Sequence, residues 1–116
     1  SQPRGGKALR QAIKAIQHAQ KDSATKDKAD CYGQMAAALT AYAATKAKIV
    51  PTEMTKAQWP GLLQTHGIDA EVQERFLKLL DKCEWVKFAP VSADGSMEDD
   101  AQMAIDLLKK MNKAWK

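Results

Sequence analysis

Between Phe76 and Pro90 the chain reads FLKLLDKCEWVKFAP, and this run sets the terms for the rest of the sequence. Phe76, Leu79, Leu80, Cys83 and Phe88 gather apolar side chains that other elements must cover. The run predicts the end of a buried helix that leads into an aromatic turn. Pro90 stops it, because a proline disfavours helical backbone at the residue before it. Upstream, Ile68-Asp69 is a start signal, with Asp69 as N-cap, Ile68 as hydrophobic staple and Glu71 in the first turn. A helix over about Ala70–Val86 follows, its outer face alternating Glu71, Glu74, Arg75, Lys78, Asp81 and Lys82.

The same period recurs on both sides of the run. Leu9, Ile13 and Ile16 predict a helix starting near Lys7, with Lys7, Arg10, Lys14 and Gln17 opposite and a stop at Asp22-Ser23. Thr25 or Asp27 caps a second helix, roughly Lys28–Lys48, whose stripe Tyr32, Met35, Leu39, Tyr42 and Lys46 reads as core. Gly33, near its start, marks a close approach of a neighbour. Pro51 ends it, leaving Ile49-Val50 extended. Thr55 and Gln58 have capping-box spacing with Met54 as staple. Trp59-Pro60-Gly61 then puts Pro60 either in a first turn or at a kink, and His66-Gly67 closes that short helix. Ser92 to Gly95 reads as a surface loop. Ser96 with Asp99 starts the last helix, with Glu98, Asp99 and Asp100 as first-turn acids and Ala101, Ala104, Ile105, Leu108, Met111 and Trp115 inside. No segment alternates at the strand period. The fold expected is all-α, about five helices in a compact orthogonal/antiparallel bundle, with residues 1–6 a lead-in and 7–116 one helical domain.

A chain of 116 residues with 45% hydrophobic content supports one core. The longest uncharged stretch, Cys31–Thr45, is too short and too weakly apolar to span a membrane, and the first residues carry no apolar signal core. Cys31 and Cys83 form no Cys-x-x-Cys pair and read as buried thiols. His18 and His66 lack neighbours at ligand spacing, and Gly5-Gly6 lacks the Lys-Ser/Thr ending of a phosphate loop. The expectation is therefore no catalytic residue, no metal and no cofactor.

Charge is uneven. Residues 1–28 carry seven Lys/Arg against Asp22 and Asp27, a net of +5, and the rest of the +4 chain sums to −1. A basic leading segment suits an anionic neighbour, nucleic acid or the cytoplasmic leaflet, as well as a plain solvated face. Leu62–Lys82 has helix–turn–helix spacing, but Glu71, Glu74 and Asp81 on its outer side would repel phosphates. A small basic nucleic-acid-binding protein using Arg4, Lys7, Arg10 and Lys14 is the alternative function.

Four stretches in order carry a family resemblance: KALRQAIKAIQHAQK, CYGQMAAALTAYAATKAKI, PTEMTKAQWPGLLQTHGI and LLDKCEWVKFAP, before a closing amphipathic helix. Together they resemble the C-terminal cytoplasmic domain of the BatD family, bacterial aerotolerance (oxygen tolerance) membrane proteins of Bacteroidetes type. Tyr32, Leu79, Leu80, Asp81, Cys83, Glu84, Phe88 and Pro90 stand at the family's signature positions. Cys31 replaces an aromatic that commonly precedes Tyr32, and Phe88 replaces a common tyrosine, removing a hydroxyl. The resemblance implies a non-catalytic protein–protein interaction domain behind a transmembrane helix, on the cytoplasmic face of the bacterial inner membrane. It also implies other Bat proteins, or a MoxR-type ATPase system, as partners. Arg4, Lys7, Arg10 and Lys14 would then be membrane-proximal, where positive residues are favoured.

Overall fold

A computed structural model describes residues 6–22, 27–88 and 96–116. Five α-helices follow in order: α1 Lys7–Asp22, α2 Lys28–Ala47, α3 Trp59–Thr65, α4 Ala70–Phe88 and α5 Met97–Ala114. Two 3-10 turns, Pro51–Glu53 and Lys56–Gln58, lie between α2 and α3. The described residues contain no strand, as expected for an all-α bundle. Arg4, Pro90, the Asp22-Ser23 stop, the Thr25 cap and the Ser92–Gly95 loop fall wholly or partly outside the described residues, as does most of the 1–6 lead-in.

Local chemistry marks the starts of α2, α3, α4 and α5. Asp27 caps α2, its carboxylate accepting from the Ala29 amide at 2.8 Å. Thr55 and Gln58 complete a capping box, so the chain enters α3 through a 3-10 turn and Pro60 sits unkinked in the first helical turn. Asp69 Oδ1 accepts from the Val72 amide at 3.0 Å, and Ser96 Oγ from the Asp99 amide at 3.0 Å. Gly67 takes the left-handed position after α3, with φ +85°.

Three expectations are corrected. The second helix closes one residue early, at Ala47, because Lys48 adopts left-handed backbone as its C-cap. The fourth runs two residues past Val86, which turns Phe88 out of the core to 82% exposure. Gly33 is not a close-approach glycine: a Cβ there would meet only Lys87 Cε, at 3.9 Å.

α2 is the centre of the bundle, packed against α1, α4 and α5. Its stripe of Tyr32, Met35, Leu39 and Tyr42 is buried, and Ala43 and Ala44 beside it let neighbours approach. From α4 come Phe76, Leu79, Leu80, Cys83 and Val86, and from α5 Ala104, Leu108 and Met111. Tyr32 bonds Asp100 and Tyr42 bonds Asn112, so α2 and α5 run in the same direction. Trp59 covers Phe76, with ring centroids 5.8 Å apart.

Candidate interaction surfaces

The polar groups inside the bundle act as locks. Asp100, which the sequence reading placed among the capping acids, is buried. It accepts from the Tyr32 hydroxyl and pairs with Lys82 Nζ at 2.8 Å through the same oxygen, so α2, α4 and α5 meet there. Helix capping at this end is left to Ser96. At the other end of the α2–α5 seam Tyr42 donates to Asn112 Oδ1 at 2.7 Å, beside Trp115. Among the described residues no buried side-chain nitrogen or oxygen lacks a partner.

Cys31 and Cys83 are fully buried thiols. Burial, and then the Asp100 carboxylate, push the Cys83 thiol up to about 12. At neutral pH it therefore holds its proton and is a poor nucleophile. His66 is not its base: the imidazole stacks on Trp115 at 4.8 Å and its Nδ1 lies 3.0 Å from the Lys116 backbone oxygen. That contact belongs to the Tyr42 end of the seam, while Cys83 adjoins the Tyr32 end. Ten residues of helix, about 15 Å, separate the two. No three His, Cys, Asp or Glu side chains gather to hold a metal among the described residues.

The run from Phe76 to Phe88 has an inner and an outer face. Leu79, Leu80, Cys83 and Val86 are core, and Tyr32 of α2 is buried with them. Asp81 and Glu84 face outward and together hold Lys56 Nζ, at 2.7 and 3.0 Å. This clamp fastens the second 3-10 turn to α4, and its hydrogen bonds raise the Lys56 ammonium above its ordinary value. Trp85 and Phe88 are also outward, 49% and 82% exposed. Three residues apart, they occupy neighbouring positions at the end of α4.

A second surface forms where α1 meets α2. Lys7, Arg10 and Lys14 lie along the exposed side of α1, and none takes part in an ion pair among the described residues. On α4, by contrast, Arg75 and Lys78 are each paired with the glutamate four residues earlier. Between α1 and α2 lies a groove of about 410 Å³, lined by Ala8, Ala12, Ala15, Ala37, Ala38 and Ala41. Gln11, His18, Gln34, Tyr42 and Thr45 complete the lining, and His18 Nε2 lies 3.2 Å from an Asp22 carboxylate oxygen.

Sequence reasoning missed the contacts made by Lys56, Lys82, Asp100 and Asn112. Only Asp100 left a signal, as a third acid where one capping pair was already complete. No protein-family model, curated protein or solved structure matches this chain.

Proposed function

We propose that this chain is a non-catalytic protein–protein interaction domain on the cytoplasmic side of a BatD-like aerotolerance membrane protein. Its partners in this reading are other Bat proteins or components of a MoxR-type ATPase system. One observation carries the interaction role: the signature run turns Trp85 and Phe88 to solvent while its other apolar residues fill the core. Adjacent aromatic side chains on a rigid helix end are the kind of anchor that protein interfaces use. The resemblance in the four sequence stretches supplies the family context, and the basic face of α1 suits a position just inside the membrane.

The test is affinity capture with the domain from cells that carry the Bat system, with retained proteins identified by mass spectrometry. A Trp85→Ser/Phe88→Ser variant with an unchanged thermal melt should lose Bat or MoxR-type proteins that the parent retains. Absence of both classes from the parent, or equal retention by the variant, overturns the reading. The unpaired cations of α1 also favour a second reading, a basic surface for nucleic acid. A salt-dependent shift of mixed-sequence DNA or RNA, abolished by charge reversal at Lys7 and Lys14, would select it.

A further inference from the structure

We propose that a depression between the start of α1 and the end of α2 binds a phosphomonoester group. Lys87 of α4 lies beside Gly33, near the start of α2, so this depression is at the other end of α2 from Trp85 and Phe88. Its argument does not depend on the family reading.

The cavity is about 350 Å³, within the size range of small-ligand sites. The first turn of α1 and the last of α2 line it, and Asn112 of α5 completes the wall. Lys7, Lys46 and Lys48 all contribute to the lining, and no acid does so among the described residues. None of the three lysines has an ion pair there. Lys46 stays uncompensated while half-buried. On α4, by contrast, Lys78 and Lys82 each meet a carboxylate. Two helices thus bring three cations to one concave place, and the balancing charge must come from outside the fold.

The cations do not serve the end of α2, because the backbone closes it. The Ala44 and Thr45 carbonyls accept from the Lys48 amide, and Ala44 also from Ile49. Lys48 makes this cap in left-handed backbone, φ 60°, where glycine is the usual residue. Neutral donors share the cavity. The amides of Lys7, Ala8 and Leu9 open α1 and donate no hydrogen bond among the described residues, and no first-turn acid answers them. The Thr45 hydroxyl lies at the same wall. Three ammonium groups with added donors suit a doubly charged group that has three free oxygens, which is a phosphomonoester at neutral pH. A carboxylate or a phosphodiester brings one charge and two free oxygens and uses the site only in part.

The test is a titration of the isotope-labelled full chain with glycerol phosphate at constant ionic strength and about pH 8, where the ester is a dianion. Saturable amide shifts are expected at Lys7, Ala8, Leu9 and Thr45 to Lys48. Dimethyl phosphate, a diester, should bind at least about tenfold more weakly. Lys46→Gln/Lys48→Asn should weaken glycerol phosphate by about tenfold or more, asparagine being chosen because it tolerates left-handed backbone. Arg10→Gln removes an α1 cation that does not line the cavity and should change affinity by less than about twofold. Thermal melts check that both variants fold. Vesicles of phosphatidic acid, compared with phosphatidylglycerol vesicles of equal surface charge, identify the source of the group. A phosphatidic acid preference lost in the double lysine variant supports the site with a lipid headgroup as ligand. Glycerol phosphate binding without that preference supports it with a soluble ester. Failure of both monoesters to bind overturns the proposal, as do equal binding of the diester and equal loss in Arg10→Gln. Mixed-sequence RNA that binds where neither monoester does assigns the cations to nucleic acid and overturns it too.

Discussion

The hydroxyl of Tyr32 on α2 donates to the carboxylate of Asp100 on α5, across 68 positions of sequence. Lys82 reaches the same oxygen from α4, so one buried acceptor ties three helices together. The Tyr42–Asn112 bond is its counterpart at the far end of the seam. Apolar faces rich in alanine can slide past one another at small cost. Two directional bonds about 15 Å apart fix the register of α2 on α5.

Removing the hydroxyl tests that lock. Tyr32→Phe keeps the ring and leaves Asp100 short of a donor in a buried site. The expected loss is about 1–3 kcal/mol, the worth of a hydrogen bond to a buried charge whose other partner, Lys82, remains in place. Chemical denaturation should show a lower midpoint with an unchanged slope. A double-mutant cycle with Asp100→Asn should give a clear coupling energy, whereas additive effects would mean that the contact fixes nothing.

Alkaline pH attacks the same interior. Burial raises both tyrosines above their ordinary 10.0, helped at Tyr32 by the Asp100 bond, and the Cys83 thiol goes from 9.0 to about 12. In each case the fold retains a proton that the unfolded chain releases. Stability is therefore complete below about pH 9 and falls as pH rises toward 12, by at most about 1.4 kcal/mol per pH unit per group. The chain has only these two tyrosines. Tyrosinate absorbance should consequently appear together with loss of helical circular dichroism. Tyrosinate formed while helicity is intact would show that these hydroxyls are accessible in the fold.

What the sequence could disclose depended on how far each signal had to travel. The Thr55–Gln58 box, the Asp69 and Ser96 caps and the Gly67 turn are decided by a few adjacent residues, and all were legible. Asp100 was not, because a first-turn acid looks the same whether it serves its own helix dipole or a tyrosine on another helix. The Asp81–Glu84 clamp on Lys56 likewise needs a partner that only the fold brings near. Phe88 was misplaced for a geometric reason. Two residues beyond Val86 on a continuing helix is about 200° around the axis, away from the core. The groove was illegible because an alanine stripe looks the same covered or bare.

The glycines of α2 and of the α3–α4 turn should respond in opposite directions. Gly33 lies within α2, and an added Cβ would make only ordinary contact with Lys87. Gly33→Ala should stabilise the domain by about 0.5–1 kcal/mol, the backbone freedom that glycine loses in a helix. Gly67 has φ +85°, and its added Cβ would sit 3.1 Å from the Lys116 side chain and 3.2 Å from the Ala114 carbonyl. Gly67→Ala should cost about 1–2 kcal/mol for left-handed backbone alone, more if Lys116 cannot move. Thermal melts of the two variants should move apart, and a shift of the same sign would contradict the geometry.

The two phenylalanines of the chain both belong to the run FLKLLDKCEWVKFAP, and their substitutions separate its inner and outer halves. Phe76 is fully buried against Trp59, so Phe76→Ala loses both the transfer free energy of the ring and the contacts around the space it leaves. Its cost should be about 3–5 kcal/mol, and Leu80→Ala, at 8% exposure, should cost about 2–5 kcal/mol. Phe88 gains little burial on folding, remaining 82% exposed, so Phe88→Ala should change stability by no more than about 0.5 kcal/mol. The same change should still weaken partner retention if the ring serves recognition. Equal melting losses for Phe76→Ala and Phe88→Ala would mean that the end of α4 is covered by the fold, leaving Trp85 and Phe88 no free surface to offer.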